Sequence, residues 1–270
     1  MFRIGLATSP FPTKFGPLLF AGDWQGALQA AAQLGYDALE VSLRQSEARH
    51  LDELARSVEE AGLPMCAIAT GQSYLHDGLS LVSLDPAKQE LLARRMRAFI
   101  EFAARWQAVL IIGGIRGRFE PDESTRSKQR EAALAAVRSL AAYAAPRGVR
   151  LAIEPLNRYE TNFLNTIAEA LRFLDEVGAP NVGILPDTFH MNIEEPCLAT
   201  SLAAAGGKIA HVHFADSNRL APGEGHIDFG ELTQVLTRIG YRGYVCAEIL
   251  PLPDSYRAAQ RAMAHLRSLA

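Results

Sequence analysis

Two rhythms of apolar residues alternate along this chain. Short, almost continuous hydrophobic runs lie at residues 3–8 (RIGLAT), 37–42 (DALEVS), 64–70 (PMCAIAT), 108–114 (AVLIIGG), 149–154 (VRLAIE), 182–187 (VGILPD), 209–214 (IAHVHF) and 244–249 (YVCAEI). Each reads as a buried strand. Between them lie longer stretches, rich in Ala, Leu, Arg and Glu, whose apolar residues recur at helical spacing. The clearest is PAKQELLARRMRAFIEFAARW, with Asp85 placed as an N-cap and Pro86 in the first turn. Helix stop signals stand before several strands, at Gly35, Gly62, Gly178 and Gly240.

Eight strand-then-helix units in a chain of this length predict a (β/α)8 barrel, with residues 1–270 forming one domain. An open doubly wound sheet is the alternative. One long irregular stretch, residues 71–85 (GQSYLHDGLSLVSLD), precedes a helix. In a barrel it is a βα-loop above the catalytic face, placed to act as a substrate wall or lid.

Composition narrows the function. The chain of 270 residues carries a formal charge of -3, and 49% of it is hydrophobic. Mild acidity argues against a nucleic-acid binder, which usually presents a basic patch. Cys66, Cys197 and Cys246 are odd in number and far apart, with no C-x-x-C pair, so neither a zinc ribbon nor a disulfide framework is indicated. That usage fits a reducing cytoplasm. The N-terminus lacks the apolar core of a secretory signal, and no stretch is long and apolar enough to predict a membrane span. Phosphate-loop, dinucleotide and hydrolase-elbow motifs are absent.

Candidate chemistry sits at the ends of the last four strands. Glu154, Asp187, His213 and Glu248 close or immediately follow strands five to eight. Strand ends of a barrel share one rim, where catalytic groups collect. Three carboxylates buried together repel one another unless a cation neutralises them, so the set predicts one divalent metal. The ligand types suit manganese, cobalt or magnesium. Glu154 and Glu248 are the outer members and can flank the ion. His211 shares a strand face with His213 one layer deeper, placed either to support the ligand or simply to pack.

These residues also carry a resemblance. The segments IEPLNRYETNFLNT (153–166), GILPDTFHMNIEE (183–195), HVHFADSNRLAPGEGHIDF (211–229) and AEILPLP (247–253) resemble the xylose isomerase-like sugar epimerases, and within them the ketose 3-epimerases of the D-tagatose 3-epimerase type. The segments CAIATGQSYLHDGLSL (66–81) and VLIIGGIRGR (109–118) are similar to the 5-keto-L-gluconate epimerases. The resemblance implies a metal, commonly manganese, held by Glu154, Asp187, His213 and Glu248, with the two glutamates doubling as catalytic acid and base. It implies that His190 and Arg219 polarise the substrate and that Glu160 contacts it. It also implies a cytoplasmic homo-oligomer, dimer or tetramer, acting on a small keto sugar or keto acid.

Epimerising a carbon beside a ketone means removing a weakly acidic proton, stabilising an enediolate and returning a proton to the other face. Glu154 and Glu248 fit that pair by position. The leading substrate expectation is 5-keto-L-gluconate, giving D-tagaturonate; a neutral ketose such as D-tagatose or D-psicose ranks second. A keto acid needs a carboxylate receptor, and arginine forks supply one. Arg44, Arg116 and Arg118 follow strands on the expected rim, with Arg116 the first choice. Three rival readings remain: a multi-zinc phosphodiesterase, an aldose–ketose isomerase such as a hydroxypyruvate isomerase, and a non-catalytic sugar-binding or regulatory protein. The first lacks ligands from strands three and four, which end Ala69-Thr70 and Gly113-Gly114. Those paired glycines are expected to relieve crowding at the barrel mouth.

Overall fold

The computed structural model describes residues 2–44 and 46–269. The apolar runs form eight strands: β1 (Arg3–Thr8), β2 (Ala38–Ser42), β3 (Met65–Ala69), β4 (Val109–Ile112), β5 (Leu151–Ile153), β6 (Val182–Ile184), β7 (Val212–His213) and β8 (Tyr244–Ala247). All ladders are parallel, in the order β6-β5-β4-β3-β2-β1-β8-β7. Isolated parallel bridges, Ile184 to Ile209 and Asp187 to His213, join the two ends of this curled sheet. The result is the expected barrel rather than an open sheet. Regular pairing in β5 and β6 stops earlier than the apolar runs do. Pro155 and Pro186 explain this, because proline brings no N–H to a ladder. The chain therefore leaves the sheet where Glu154 and Asp187 must turn to the rim.

Among the described residues, ten α-helices lie between and after the strands: α1 (Trp24–Leu34), α2 (Ala48–Ala61), α3 (Gln72–Asp77), α4 (Pro86–Ala104), α5 (Glu123–Ala144), α6 (Ile167–Val177), α7 (Thr188–Glu194), α8 (Leu198–Ala205), α9 (Phe229–Arg238) and α10 (Ser255–Leu269). Asp85 caps α4 as expected, its carboxylate accepting from the N–H groups of Ala87 and Lys88. Gly35, Gly62 and Gly178 end α1, α2 and α6 in the left-handed conformation that glycine adopts without strain. Among the described residues, no helix is long and apolar enough to cross a membrane.

Two apolar clusters result. The larger packs the helices against the outside of the barrel. The smaller fills its interior and is built mostly of small side chains, including Ala38, Cys66, Ala69, Ala152, Ala210 and Cys246, with Ile111 and Leu185. Small residues at these inward positions leave room for the charged layer above them. The stretch 71–85 contributes the short helix α3, which stands beside the barrel mouth.

Candidate metal centre and catalytic site

The four sequence-predicted ligands converge. One donor atom from each of Glu154, Asp187, His213 and Glu248 lies within 4.8 Å of the others, and all four residues are buried. His213 Nδ1 stands 3.4 Å from Glu154 Oε1, 3.7 Å from Asp187 Oδ2 and 3.9 Å from Glu248 Oε2. Glu154 and Glu248 each follow the last paired residue of their strands. Asp187 is the N-cap of α7, and its two oxygens divide the work. Oδ1 accepts from the N–H of Phe189 at 2.8 Å, while Oδ2 turns to the rim.

The fit to a cation rests on what these atoms lack. Glu154 Oε1, Asp187 Oδ2 and His213 Nδ1 are buried without hydrogen-bond partners. Three unpartnered acceptors pointing at one volume are costly unless something positive fills it. An oxygen-rich set with one imidazole suits a hard or borderline divalent ion.

Glu40, on β2, fixes which nitrogen of His213 faces that volume. Its Oε2 accepts from His213 Nε2 at 2.9 Å and from His211 Nε2 at 2.8 Å. The carboxyl is fully buried; burial opposes its ionisation, but the two histidines outweigh this and hold it well below the usual range. With Nε2 donating, Nδ1 is left bare toward the ion. His211 thus supports Glu40 from below rather than merely packing. Sequence reading missed Glu40. Its one signal was a charged residue in the middle of the strand run DALEVS.

A cavity of about 240 Å³ opens onto the ligands. Glu154, Glu248, His190, Arg219 and Glu160 line it, together with Phe15 and Gln72, Tyr74 and Leu75 of α3. The stretch 71–85 is therefore a wall, as expected. Burial pushes Glu154 upward and raises Glu248 to about 8, despite the nearby positive charges of His213 and Arg219. At Asp187 burial also opposes ionisation, yet His190, His213 and Arg219 prevail and hold it low. Burial depresses His190 to about 3, so this imidazole is neutral.

Arg219 has φ 61, a left-handed backbone rarely adopted by arginine. Its guanidinium lies over the Phe189 ring at 4.5 Å and donates to Glu248 Oε2 at 2.5 Å. Buried Asp216 ties down the loop that carries it, accepting from the N–H groups of Ser217, Gly223 and Ile227. Glu160 Oε1 accepts from Asn157 Nδ2 at 3.1 Å and stands 3.6 Å from Arg219 Nη1. Gly113 answers the question raised by the paired glycines: a Cβ there would collide with Oε2 of Glu154.

The carboxylate-binding role expected for Arg116 is not what the structure builds. Arg116 is 1% exposed and is absent from the cavity lining. Its side chain donates to the carbonyls of Gly113, Phe163 and Leu164, clamping the loops after β4 and β5. Arg44 pairs with Asp77, and Arg118 reaches the carbonyls of Tyr159 and Glu160. The sequence placed these residues correctly after their strands. It could not show that partners on neighbouring loops already engage them, although Nη2 of Arg116 stays buried without one.

Comparison with known proteins agrees with this geometry. The family described as "Xylose isomerase-like TIM barrel" matches residues 28–269. An L-ribulose 3-epimerase from Methylomonas sp. (strain DH-1) is 35% identical over 239 residues, covering 86% of this chain and 82% of that protein. A 3-dehydro-D-guloside 4-epimerase from Escherichia coli (strain K12) is 32% identical over 242 residues, covering 88% and 89%. The structure of the Methylomonas sp. D-allulose 3-epimerase in complex with D-allulose superposes with a TM-score of 0.82 at 27% identity, covering 100% of this chain and 97% of that one. The chain belongs to the xylose isomerase-like TIM-barrel family and is an enzyme of the isomerase class.

Proposed function

We propose that the chain is a metal-dependent epimerase that inverts a carbinol carbon beside a ketone. The observation that carries this is the pairing of two buried glutamates, Glu154 and Glu248, that line one cavity at a single cation site. Glu154, Asp187, His213 and Glu248 would hold the ion, with manganese first and cobalt or magnesium as alternatives. Once bound, it supplies Lewis-acid polarisation of the substrate carbonyl.

The remaining chemistry belongs to side chains. One glutamate takes the proton from the carbon, and the other delivers one to the opposite face. Arg219 keeps Glu248 in place through its 2.5 Å hydrogen bond. His190, neutral and buried, can donate to substrate oxygen as charge gathers on it. The aromatic and aliphatic wall of Phe15, Tyr74 and Leu75 excludes water from the reacting carbons.

The leading substrate is 5-keto-L-gluconate, giving D-tagaturonate. The support is the segment 66–81, whose resemblance is to enzymes acting on that acid and which forms the wall at Ala69, Thr70, Gly71, Gln72, Tyr74 and Leu75. A neutral ketose is the second reading, favoured by a specific observation. Among the described residues, Arg219 is the one arginine in the cavity lining, and it is already engaged with Glu248.

The test is incubation of the manganese-loaded enzyme with 5-keto-L-gluconate, L-ribulose and D-psicose in D2O, followed by NMR. Deuterium at one carbon with inverted configuration is the expected result. Migration of the carbonyl would replace epimerisation by aldose–ketose isomerisation. Absence of exchange with every substrate would leave only a binding role. Glu154→Gln and Glu248→Gln should each lower exchange by about 10²- to 10⁴-fold, the usual worth of a catalytic acid or base. Light scattering of the same preparation checks the expected dimer or tetramer.

A further inference from the structure

Beneath the catalytic rim, the barrel brings together three side chains that belong neither to the catalytic ligand set nor to the cavity lining. Cys66 comes from β3, Cys246 from β8, and His211 from the residue preceding β7. One ligand atom from each lies within 4.8 Å of the others, and all three are buried. The two sulfurs are 3.6 Å apart, and both cysteines are free thiols. That separation is close to the edge of a tetrahedron of thiolates about 2.3 Å from a central metal.

Gly5 of β1 pairs with Cys246, and a Cβ at that position would strike both sulfurs. The cradle thus depends on a residue without a side chain. Glu40 lies against one of the three donors, its Oε2 accepting from His211 at 2.8 Å, and keeps Oε1 buried without a partner. Two thiolates would cancel the charge of a divalent ion, which makes the complete centre electrically cheap to bury.

We propose that Cys66, Cys246 and His211 form a second, structural metal site inside the barrel, selective for a thiophilic cation of the zinc type. On binding, the two thiols release their protons to solvent and both sulfurs become ligands. Softness separates this site from the oxygen-rich one above it. The ion would fasten β3, β7 and β8 together directly below the residues that orient His213. This assignment is independent of the epimerase reading.

The interior is closed, so the ion enters during folding. The full-length chain is unfolded under reducing conditions and refolded with Co2+ alone. The expected result is two equivalents bound per chain, with a sulfur-to-cobalt charge-transfer band in the near ultraviolet. Asp187→Asn should keep that band while losing the other equivalent. Cys66→Ser and Cys246→Ser should lose the band and keep the other equivalent. One equivalent without a sulfur band in the wild-type protein would overturn the proposal. Should the cysteine variants fail to fold, X-ray absorption on wild-type protein refolded with Zn2+ decides alone. Sulfur scatterers at about 2.3 Å support the site, and a shell of oxygen and nitrogen only rejects it.

Discussion

The side-chain amide of Asn157 donates from Nδ2 to Nδ1 of His190 at 2.8 Å. The direction of this bond is fixed from the other end of the amide. Asn157 Oδ1 accepts from the N–H groups of Tyr159 and Glu160, so Nδ2 must face the imidazole. His190 Nδ1 is therefore an acceptor, and the proton of the neutral ring sits on Nε2, the nitrogen 3.8 Å from Asp187. Asn157 thereby equips His190 to donate toward substrate without carrying charge. Asn157→Asp replaces the donor by an acceptor and should disrupt that tautomer. The expected loss is about 10²-fold in kcat with little change in KM, comparable to removing a transition-state hydrogen-bond donor. Steady-state kinetics decide, and an unchanged kcat would remove His190 from that role.

Gly113 sets the position of Glu154. Its missing Cβ is the space occupied by the Glu154 carboxylate. Gly113→Ala should displace that carboxylate, destabilise the chain by about 1–3 kcal/mol through overpacking, and abolish proton exchange. Gly114→Ala is the contrast, because a Cβ there meets only Gly71, at 3.9 Å. Thermal melts and exchange in D2O compare the two. Equal exchange rates would show that the crowding at Gly113 is relieved elsewhere.

Glu40 holds His213 in the orientation that presents Nδ1. Glu40→Ala should weaken metal binding at the catalytic centre by about 10- to 100-fold, as loss of a ligand's hydrogen-bond partner commonly does. Titration with Mn2+ followed by electron paramagnetic resonance reads this directly. Full affinity in the variant would mean that packing alone orients the ring.

Asp77 closes α3, the cavity wall, by accepting from Arg44 at 2.5 Å and Arg95 at 2.6 Å. The Arg44 guanidinium, with Arg95, holds the Asp77 carboxyl below its ordinary value. A depressed carboxylate stabilises the fold above its unfolded pKa of about 3.9 and loses that contribution as pH falls through the lower folded value. Asp77→Asn should cost about 1 kcal/mol or less at neutral pH, since both partners reach solvent. The difference from wild type should shrink below about pH 4 and vanish in stronger acid. Denaturant melts across that range test it, and a difference that grows on acidification would contradict the assignment.

Some of this was legible in the chain itself. Eight apolar runs, helix caps such as Asp85 and stop glycines such as Gly35 are local signals, set by side-chain period and backbone preference. They specify strands and helices before any packing occurs. Glu154, Asp187, His213 and Glu248 were visible for the same reason, because the end of each strand is itself local and a barrel gathers strand ends on one rim. Barrel closure decided the rest. Glu40 and His213 are 173 positions apart, and Cys66 and Cys246 are 180 apart. Three cysteines read as unrelated along the sequence, yet two meet once β3 and β8 face one axis. Arg116 was misjudged for the converse reason. Its position after β4 was a local fact, but whether its guanidinium met a substrate or the carbonyls of Phe163 and Leu164 depended on how two loops folded over each other. Strand period fixes which way a side chain points, while its partners are fixed only when distant segments compete for the same buried hydrogen bonds.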